Sequence, residues 1–327
     1  MSKITYQCTW CGEESSLEGV QTACACGKPL EVVFDWENAS PNKRDLDPEN
    51  RTLWKYRDVL APIDDDHIVT LGEGWTPTAD GIDYNGVTIF IKDESVNPTG
   101  SFKDRGMSTA VSHARQNGIS EVCLPSAGNA GVSASAYCQA AGIACHVFLP
   151  ETIPTPFIDA AEEYGADLRL GGRTIAQAAS KMREEMTKEW FDLSTLKEPF
   201  RVEGKKTMGY EIAEQLDWRL PNVVVYPTGG GTGLIGMWKA FNEMIDLGWL
   251  DEKETDRPRM VVVQSDGCAP IVKAFAEGLL ENDLWEKSHT GALGLNVPSP
   301  LGGAWMLKTL RDSGGIALMV DEAQIME

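Results

Sequence analysis

The chain of 327 residues contains no apolar run that approaches the about 20 residues needed to cross a bilayer. Its first residues, MSKITYQC, lack the apolar core of a secretory signal peptide. We therefore expect a soluble, cytoplasmic protein. The length predicts two domains with a small appendage, and a hydrophobic content of 42% is enough to build their cores.

Basic residues are scarce, because 29 Lys and Arg face 49 Asp and Glu and leave a formal net charge of -20. This excess of acid argues against nucleic acid backbones and anionic membranes as partners. A small anionic ligand remains compatible with it, since local charge decides such binding. The acidity also fits a saline habitat, which charge alone does not establish. The four histidines show no ligand spacing, so we expect no catalytic histidine.

Four of the eight cysteines are concentrated near the N-terminus in the pattern C-x-x-C, twelve residues, C-x-C. They are Cys8, Cys11, Cys24 and Cys26, and the alternating run LEVVF follows them. Clustered thiols in a cytosolic chain favour a metal site over disulfides, and four thiolates suit structural, tetrahedral zinc. Residues 1–35 are therefore interpreted as a zinc ribbon, called the ribbon below. The alternative is a reduced, metal-free turn. The scattered Cys123, Cys138, Cys145 and Cys268 are interpreted as small core residues.

After about residue 70, strand patterns alternate with helix patterns, which predicts parallel sheets with helices on both faces. The predicted strands are 87–93, 121–126, 144–150, 166–172, 222–230 and 259–267. The predicted helices are 103–117, 129–142, 154–165, 173–189, 233–246 and one that begins near Pro270. Residues 36–70 are polar, contain three prolines and predict two short helices. The fold class is α/β.

Lys103, in "NPTGSFKDRG", lies in the first turn of a predicted helix, where the helix dipole disfavours a cation. Such a position lowers the pKa of the amine. A neutral amine is what a lysine needs in order to attack a carbonyl carbon. The alternative is a surface lysine that pairs with Asp104 or Glu94.

The segment "PTGGGTGLIG" places Gly229, Gly230, Gly231, Thr232 and Gly233 between a strand and a helix. Backbone amides at a helix N-terminus form a phosphate cradle. A tight turn alone is the alternative, but four glycines in five positions are more than a turn needs. No Gly-Lys-Ser/Thr follows, which excludes a Walker A loop, and a dinucleotide site lacks its acidic residue about 20 positions on. Pyridoxal phosphate combines an aldehyde for Lys103 with a phosphate for this loop.

These motifs resemble those of the fold-type-II pyridoxal phosphate enzymes, the tryptophan-synthase-β-like superfamily. "NPTGSFKDRG" is similar to its lysine motif, and "SAGNAGVSASAYCQAAGI" to the motif whose asparagine, here Asn129, bonds the ring hydroxyl of the cofactor. "GGGTG" is similar to its phosphate loop. The resemblance implies two three-layer αβα domains with the cofactor in the cleft between them.

Within that superfamily, "LGEGWTPT" and "GLNVPSPLGG" are similar to segments of threonine synthases. The implied reaction converts O-phosphohomoserine and water to threonine and phosphate. A serine/threonine ammonia-lyase that uses the same motifs is the alternative, and its glycine loop is also similar. A rival of another class is a non-catalytic binding protein that recruits partners through its ribbon.

The implied substrate needs donors for its carboxylate and cations for its phosphate. The helix N-terminus at Ser126–Asn129 offers the former. The segment "STLKEPFRVEGKKT" offers candidates for the latter: Ser194, Thr195, Lys197, Arg201, Lys205 and Lys206. The family's arrangement favours Ser194 and Arg201, and an ordinary solvated loop is the equal alternative. The arginine of the family's GLRVP segment is Asn296 here, so one cation is missing.

The expected domains are a ribbon at 1–35, a larger cofactor-binding domain from 36–104 with 200–327, and a smaller domain at 105–199. Family members continue into a segment whose Ser or Thr faces the pyridine nitrogen, and we expect that segment to be absent. "DEAQIME" reads as a helix just begun. The resemblance allows a homodimer and leaves the oligomeric state and effectors open.

Overall fold

A computed structural model describes residues 4–36, 40–250 and 257–326. The N-terminal unit is an antiparallel sheet of β1 (Ile4–Cys8), β2 (Glu14–Ser16) and β3 (Leu30–Phe34), in the order β2-β1-β3. Three short 3-10 helices follow, at Lys43–Asp45, Leu53–Val59 and Asp65–His67. The sequence predicted two short helices in this region. No helix of the described residues has the length and apolar character that a membrane span requires.

The predicted strand 87–93 is shorter than expected and lies in a hairpin. β4 (Ile82–Tyr84) pairs antiparallel with β5 (Val87–Ile89), and all six residues are exposed. The turn between them consists of Asn85 and Gly86, with φ of 54° and 81°. An Asn-Gly pair accepts positive φ at both positions, and this favours a two-residue hairpin turn. The Asn-Gly pair in the sequence is therefore the local signal that indicates this hairpin.

A four-stranded parallel sheet comes next, and its helices connect successive strands. Its elements are α1 (Lys103–Gln116), β6 (Glu121–Pro125), α2 (Asn129–Ala141), β7 (Ala144–Leu149), α3 (Thr155–Glu163), β8 (Asp167–Leu170), α4 (Ile175–Glu185) and β9 (Trp190–Asp192), with strand order β8-β7-β6-β9. Strand β9 was not predicted, and α4 ends at Glu185 where the sequence predicted residue 189. A capping box between Thr174 and Gln177 sets the start of α4.

The remaining elements build a second parallel sheet, β10-β11-β12. They are α5 (Phe200–Gln215), β10 (Val223–Pro227), α6 (Thr232–Asp246), β11 (Arg259–Ser265), α7 (Pro270–Ala276), α8 (Gly303–Asp312), β12 (Ile316–Val320) and α9 (Glu322–Met326). Helix α7 begins at the predicted Pro270, and α9 is the helix expected in "DEAQIME". Helices α5 and α8 and strand β12 were missed. As an edge strand, β10 leaves Val223 and Val225 exposed.

Two main hydrophobic cores hold these elements. One joins the ribbon, through Tyr6 and Val32, to the four-stranded sheet and α1, through Leu124 and Met107. The other surrounds α6 and β11 and includes Phe241. The four scattered cysteines are buried, as the sequence predicted. The ribbon is therefore packed into the body of the protein and is not a detached appendage.

Helices α1 and α5 cross with their backbones in contact, and this requires glycine on both sides. A Cβ on Gly204 of α5 would overlap the carbonyl oxygen of Arg105 in α1. A Cβ on Gly106 of α1 would come 2.7 Å from the carbonyl oxygen of Arg201 in α5. Backbone atoms cannot turn aside as a flexible side chain can, so this crossing fixes the distance between the two helices.

We predict that Gly204→Ala lowers the free energy of unfolding by about 1–3 kcal/mol, because the added methyl group forces α1 away from α5. Urea denaturation measures this. Gly294→Ala is the matched control, since a Cβ there meets nothing within 4 Å. Equal stability of the two variants would contradict the proposed backbone contact.

Candidate active site

Lys103 is the first residue of α1, and neither acid proposed as its surface partner is available to it. The carboxylate of Asp104 accepts hydrogen bonds from the Thr99 amide (2.7 Å) and hydroxyl (2.5 Å), and from the Ser133 hydroxyl (2.6 Å). The carboxylate of Glu94 accepts from Arg105. The alternative of an ordinary surface ion pair for Lys103 is therefore wrong.

The amine of Lys103 lies 3.8 Å from the ring centroid of Phe102. Burial of the amine, reinforced by the charge of Arg201, lowers its pKa to about 7. The direction agrees with the expectation from the sequence, but these causes are tertiary and were not part of it. About half of the Lys103 amines are then neutral at neutral pH and able to act as nucleophile or base.

Arg105 fixes the start of α1. Its fully buried guanidinium donates to Glu94 (Nε to Oε2, 2.7 Å) and to Glu211 of α5 (Nη1 to Oε1, 2.6 Å). Lys92 also donates to Glu211, at 2.8 Å. Burial alone would raise the pKa of the Glu211 carboxyl, but Arg105 and Lys92 lower it to about 2. The position of Lys103 is thereby tied to α5 through a permanently charged, buried contact.

The "LGEGWTPT" segment serves as a structural anchor in this site. Glu73 is fully buried, and its carboxylate accepts from the Tyr137 hydroxyl of α2 at 2.6 Å. The Trp75 amide donates to Glu211 at 2.7 Å, and the Gly74 amide donates to Asn97 at 3.1 Å. The segment thus connects the loop before Lys103 with both α2 and α5.

The glycine loop leads from β10 into α6, whose first helical residue is the buried Thr232. Gly231 caps the helix with φ of 78°, a conformation that favours glycine. A Cβ on Gly231 would overlap the sulfur of Met306, and one on Gly233 would overlap the hydroxyl of Tyr226. Close packing therefore explains two of the glycines, and the amides of the first turn of α6 remain available for an anion.

Ser126 is buried inside the turn that leads into α2. Its hydroxyl donates to the Gly128 carbonyl at 3.0 Å and accepts from the Gly131 amide at 2.8 Å. These bonds shape the turn and already engage the Ser126 hydroxyl. The expected contact between this hydroxyl and a ligand would require one of them to break. Asn129 is exposed at the first turn of α2.

Direct contacts bring these three motifs together. The rings of Phe102, next to Lys103, and Tyr226 of β10 meet edge to face with centroids 6.2 Å apart. Tyr226 in turn borders Gly233. The bond from Ser133 to Asp104 joins α2 to the start of α1. The structure thus assembles the lysine, the asparagine helix and the glycine loop in one region.

The segment 194–207 is divided between a loop and a helix. Ser194 donates from its amide to Asp192 at 2.8 Å, and its hydroxyl also bonds that carboxylate. The Thr195 methyl group borders Gly230 of the glycine loop. Arg201, on α5, is 1% exposed, and its Nη1 donates to the Leu193 carbonyl at 2.7 Å. Burial lowers the pKa of Arg201 to about 10.

The solvated-loop alternative is wrong for the second half of this segment, because residues 200–207 lie in α5 and are buried. Lys206 pairs with Glu203 (2.8 Å) and Glu243 (3.0 Å), as buried charges usually do. Lys205 is also fully buried. The charged residues of this helix hide its apolar period, so the sequence pattern did not indicate a helix here.

The four N-terminal cysteines converge. Their sulfur atoms lie within 4.8 Å of one another, with 3.5 Å between Cys8 and Cys26 and 3.7 Å between Cys11 and Cys24. Tetrahedral zinc with bonds of about 2.3 Å separates its thiolates by about 3.8 Å. The donor set and its spacing therefore fit such an ion.

Comparison with known proteins extends this picture over nearly the whole chain. The family model described as "Pyridoxal-phosphate dependent enzyme" matches residues 69–327. The chain is 31% identical to the threonine synthase of Methanocaldococcus jannaschii, over 98% of this chain and 80% of that protein. It is 32% identical to the threonine synthase of Methanosarcina acetivorans, over 98% of this chain and 79% of that protein.

Solved structures share the fold at lower sequence identity. Maize serine racemase superimposes with a TM-score of 0.64 at 20% identity, covering 77% of this chain and 73% of that one. A fungal L-serine ammonia-lyase from Rhizomucor miehei gives 0.64 at 18% identity, covering 76% of each chain. These likenesses establish the fold alone.

We predict that Lys103, in protein dialysed with hydroxylamine to remove carbonyl ligands, reacts with an amine-acetylating reagent at half its maximal rate near pH 7. An ordinary lysine reaches half its maximal rate at a pH of about 10.4. Peptide mapping by mass spectrometry measures the rate, and the same lysine in urea-unfolded protein is the control. A folded-state profile that matches the unfolded one would contradict the lowered pKa.

Proposed function

The chain belongs to the pyridoxal-phosphate dependent enzymes, and we propose that it is a threonine synthase, which converts O-phospho-L-homoserine and water to L-threonine and phosphate. The observation that carries this proposal is 31% identity to a threonine synthase over 98% of the chain. The buried Arg201 beside Lys103 supports a substrate that carries an anionic group as well as its carboxylate. The same proposal places the enzyme in the cytoplasm.

The residues present fit the cofactor. Lys103 offers an amine that its neighbouring acids do not engage, and α6 begins with amides that a phosphate requires. We propose that Lys103 holds the aldehyde carbon, that Gly229, Gly230, Gly231, Thr232 and Gly233 hold the phosphate, and that Asn129 meets the ring hydroxyl. When bound, pyridoxal phosphate supplies an electron sink that makes protons of the amino acid acidic.

Lys103 is also the proposed base, because its amine would lie beside the amino acid protons to be moved when cofactor and substrate are bound. With a pKa of about 7, the amine can both accept and return a proton near neutral pH. A fully exposed lysine would be almost entirely charged at that pH. The burial that lowers the pKa is therefore part of the proposed catalytic function.

The substrate is proposed to lie between two sets of donors. The amides at the start of α2, in the turn that Ser126 shapes, suit the amino acid carboxylate. Thr195 and Arg201, together with Ser194, suit the phosphate, since Thr195 borders the glycine loop and Arg201 lies near Lys103. For Ser194 this requires its hydroxyl to leave Asp192.

The proposed domains follow the two parallel sheets. Residues 105–199 contain the four-stranded sheet, and residues 36–104 with 200–327 contain the second sheet and its helices. Lys103 and Gly204 lie close to the proposed boundaries. The α1–α5 crossing would then hold the two domains together beside the site.

We also propose that Cys8, Cys11, Cys24 and Cys26 bind one structural zinc ion. Four thiolates complete a tetrahedral shell and leave no open position for catalysis. The ribbon is small, and its sheet has strands of three and five residues, so a metal ion supplies stability that its own core lacks.

We predict that full-length, cofactor-loaded protein releases phosphate from O-phosphohomoserine with an equal amount of threonine, and that Lys103→Ala lowers this rate at least about 1,000-fold. Lys103→Ala also loses the covalent label that borohydride leaves on the wild type. Lys308→Ala, an exposed lysine of α8, is the control. Ammonia and a 2-oxo acid in place of phosphate and threonine would support the ammonia-lyase.

We predict about one zinc ion per chain by elemental analysis, as expected of a closed four-thiolate site. Cys11→Ser with Cys26→Ser should bring zinc to background and lower the thermal midpoint. Cys123→Ser is the matched control, because that thiol is buried in the core and away from the cluster. Fully folded wild-type protein without metal would refute the site.

A further inference from the structure

Lys205 is a buried lysine whose amine has no acceptor. Its side chain is fully buried, and its Nζ donates no hydrogen bond to any described residue. A lysine in such a position pays a large desolvation cost unless an anion pairs with it. The next residue, Lys206, shows the usual solution, because Glu203 and Glu243 both pair with it.

Lys205 lies on the face of α5 that carries Arg201, because four residues separate them and bring them one turn apart. The Nε of Arg201 is likewise buried and without a partner among the described residues. Two buried basic side chains with unused donors thus face the same direction from one helix.

That direction is toward Lys103. The ammonium of Lys205 lies 5.0 Å from the ring centroid of Phe102, and the amine of Lys103 lies 3.8 Å from the same centroid. Gly106 makes this approach possible, since a Cβ there would overlap the nitrogen of Lys205. The close α1–α5 crossing therefore admits the Lys205 side chain to the candidate active site.

The acids around these basic groups contact other groups, and the one Glu198 oxygen without a hydrogen bond, Oε1, lies 3.4 Å from Nδ1 of His113. Asp104 accepts from Thr99 and Ser133, and Glu94 accepts from Arg105. Asp192 accepts from Ser194, and Glu198 accepts from the Arg201 amide at 2.8 Å. Burial, with Arg201 and Lys103 nearby, holds the pKa of Lys205 well below its usual value. Asp192 and Glu198 offset part of the charge of Arg201, whereas the Nζ of Lys205 has no acceptor among the described residues.

We propose that Lys205 is a specificity-determining residue that binds, together with Arg201, the phosphate group of the substrate. This inference rests on the proposed function and adds the second cation that Asn296 does not supply. Asn296 lies at the same glycine loop, since its neighbour Leu295 borders Gly229, and its Oδ1 is buried and unpartnered. The ammonium of Lys205 beside the guanidinium of Arg201 suits a dianion that must be released after the reaction.

Binding of a dianion has a second consequence, which is proton uptake. The groups that face Lys205 are Lys103, Arg201, Asp104 and Glu94. The first two favour its neutral form, and a bound phosphate reverses that balance. Phosphate binding should therefore be accompanied by uptake of a proton over the pH range in which Lys205 is neutral in the free protein.

The test uses full-length, cofactor-loaded protein with inorganic phosphate as the probe, measured by isothermal titration calorimetry. Lys205→Met and Lys205→Gln should weaken phosphate binding about tenfold to a hundredfold, as expected when a buried charged donor is lost. They should raise KM for O-phosphohomoserine more than they lower kcat. Lys308→Met, whose side chain is 66% exposed, removes one positive charge as the control.

Phosphate affinity of both Lys205 variants within twofold of the wild type would overturn the inference. Titrating the wild type in two buffers of different ionisation enthalpy, at several pH values, gives a measure that needs no variant, and the absence of proton uptake at every pH would also overturn the inference. If threonine is not formed but phosphate binding depends on Lys205, the anion site stands and the proposed function fails. If threonine is formed and phosphate binding does not depend on Lys205, the proposed function stands and the inference about Lys205 fails.

Discussion

The buried contact of Arg105 with two carboxylates is the interaction on which the site depends. It joins Glu94, from the loop that precedes α1, to Glu211 in α5, and its guanidinium is entirely out of water. Removing one member would leave an unpaired buried charge, which is far more costly than the net worth of the pair. The arrangement therefore permits one position for the start of α1, and so for Lys103.

Helix α5 places its basic side chains beside Lys103, whose position the Arg105 contact fixes. Its glycine contact with α1 brings the two helices closer than side chains would allow. Arg201 and Lys205 then face the amine of Lys103, and burial, together with the charge of Arg201, keeps that amine partly neutral. Buried basic side chains would weaken an ordinary protein interior. Here they accompany a partly neutral amine that can accept a proton, and they provide donors for an anion.

The ribbon is connected to this arrangement through α6 and α5. Lys239 of α6 donates to the Val32 carbonyl at 2.6 Å, and the ring of Phe34 lies 4.2 Å from the ammonium of Lys206. Tyr6 is fully buried in the core that the ribbon shares with α1. A metal-stabilised ribbon would thereby brace the helices that form the site, which gives it a structural function in the enzyme.

The sequence by itself determined the α/β class, the cysteine cluster, and the three motifs around Lys103, Asn129 and the glycine loop. These are local signals, since they depend on residue spacing, on turn chemistry and on the ends of helices. Only the tertiary structure decided the rest. Helix α5 was hidden because its buried face carries Arg201, Lys205 and Glu211, whose burial depends on partners distant in the chain. The pKa of Lys103 likewise follows from its burial and from Arg201, nearly a hundred positions away, which no local pattern records.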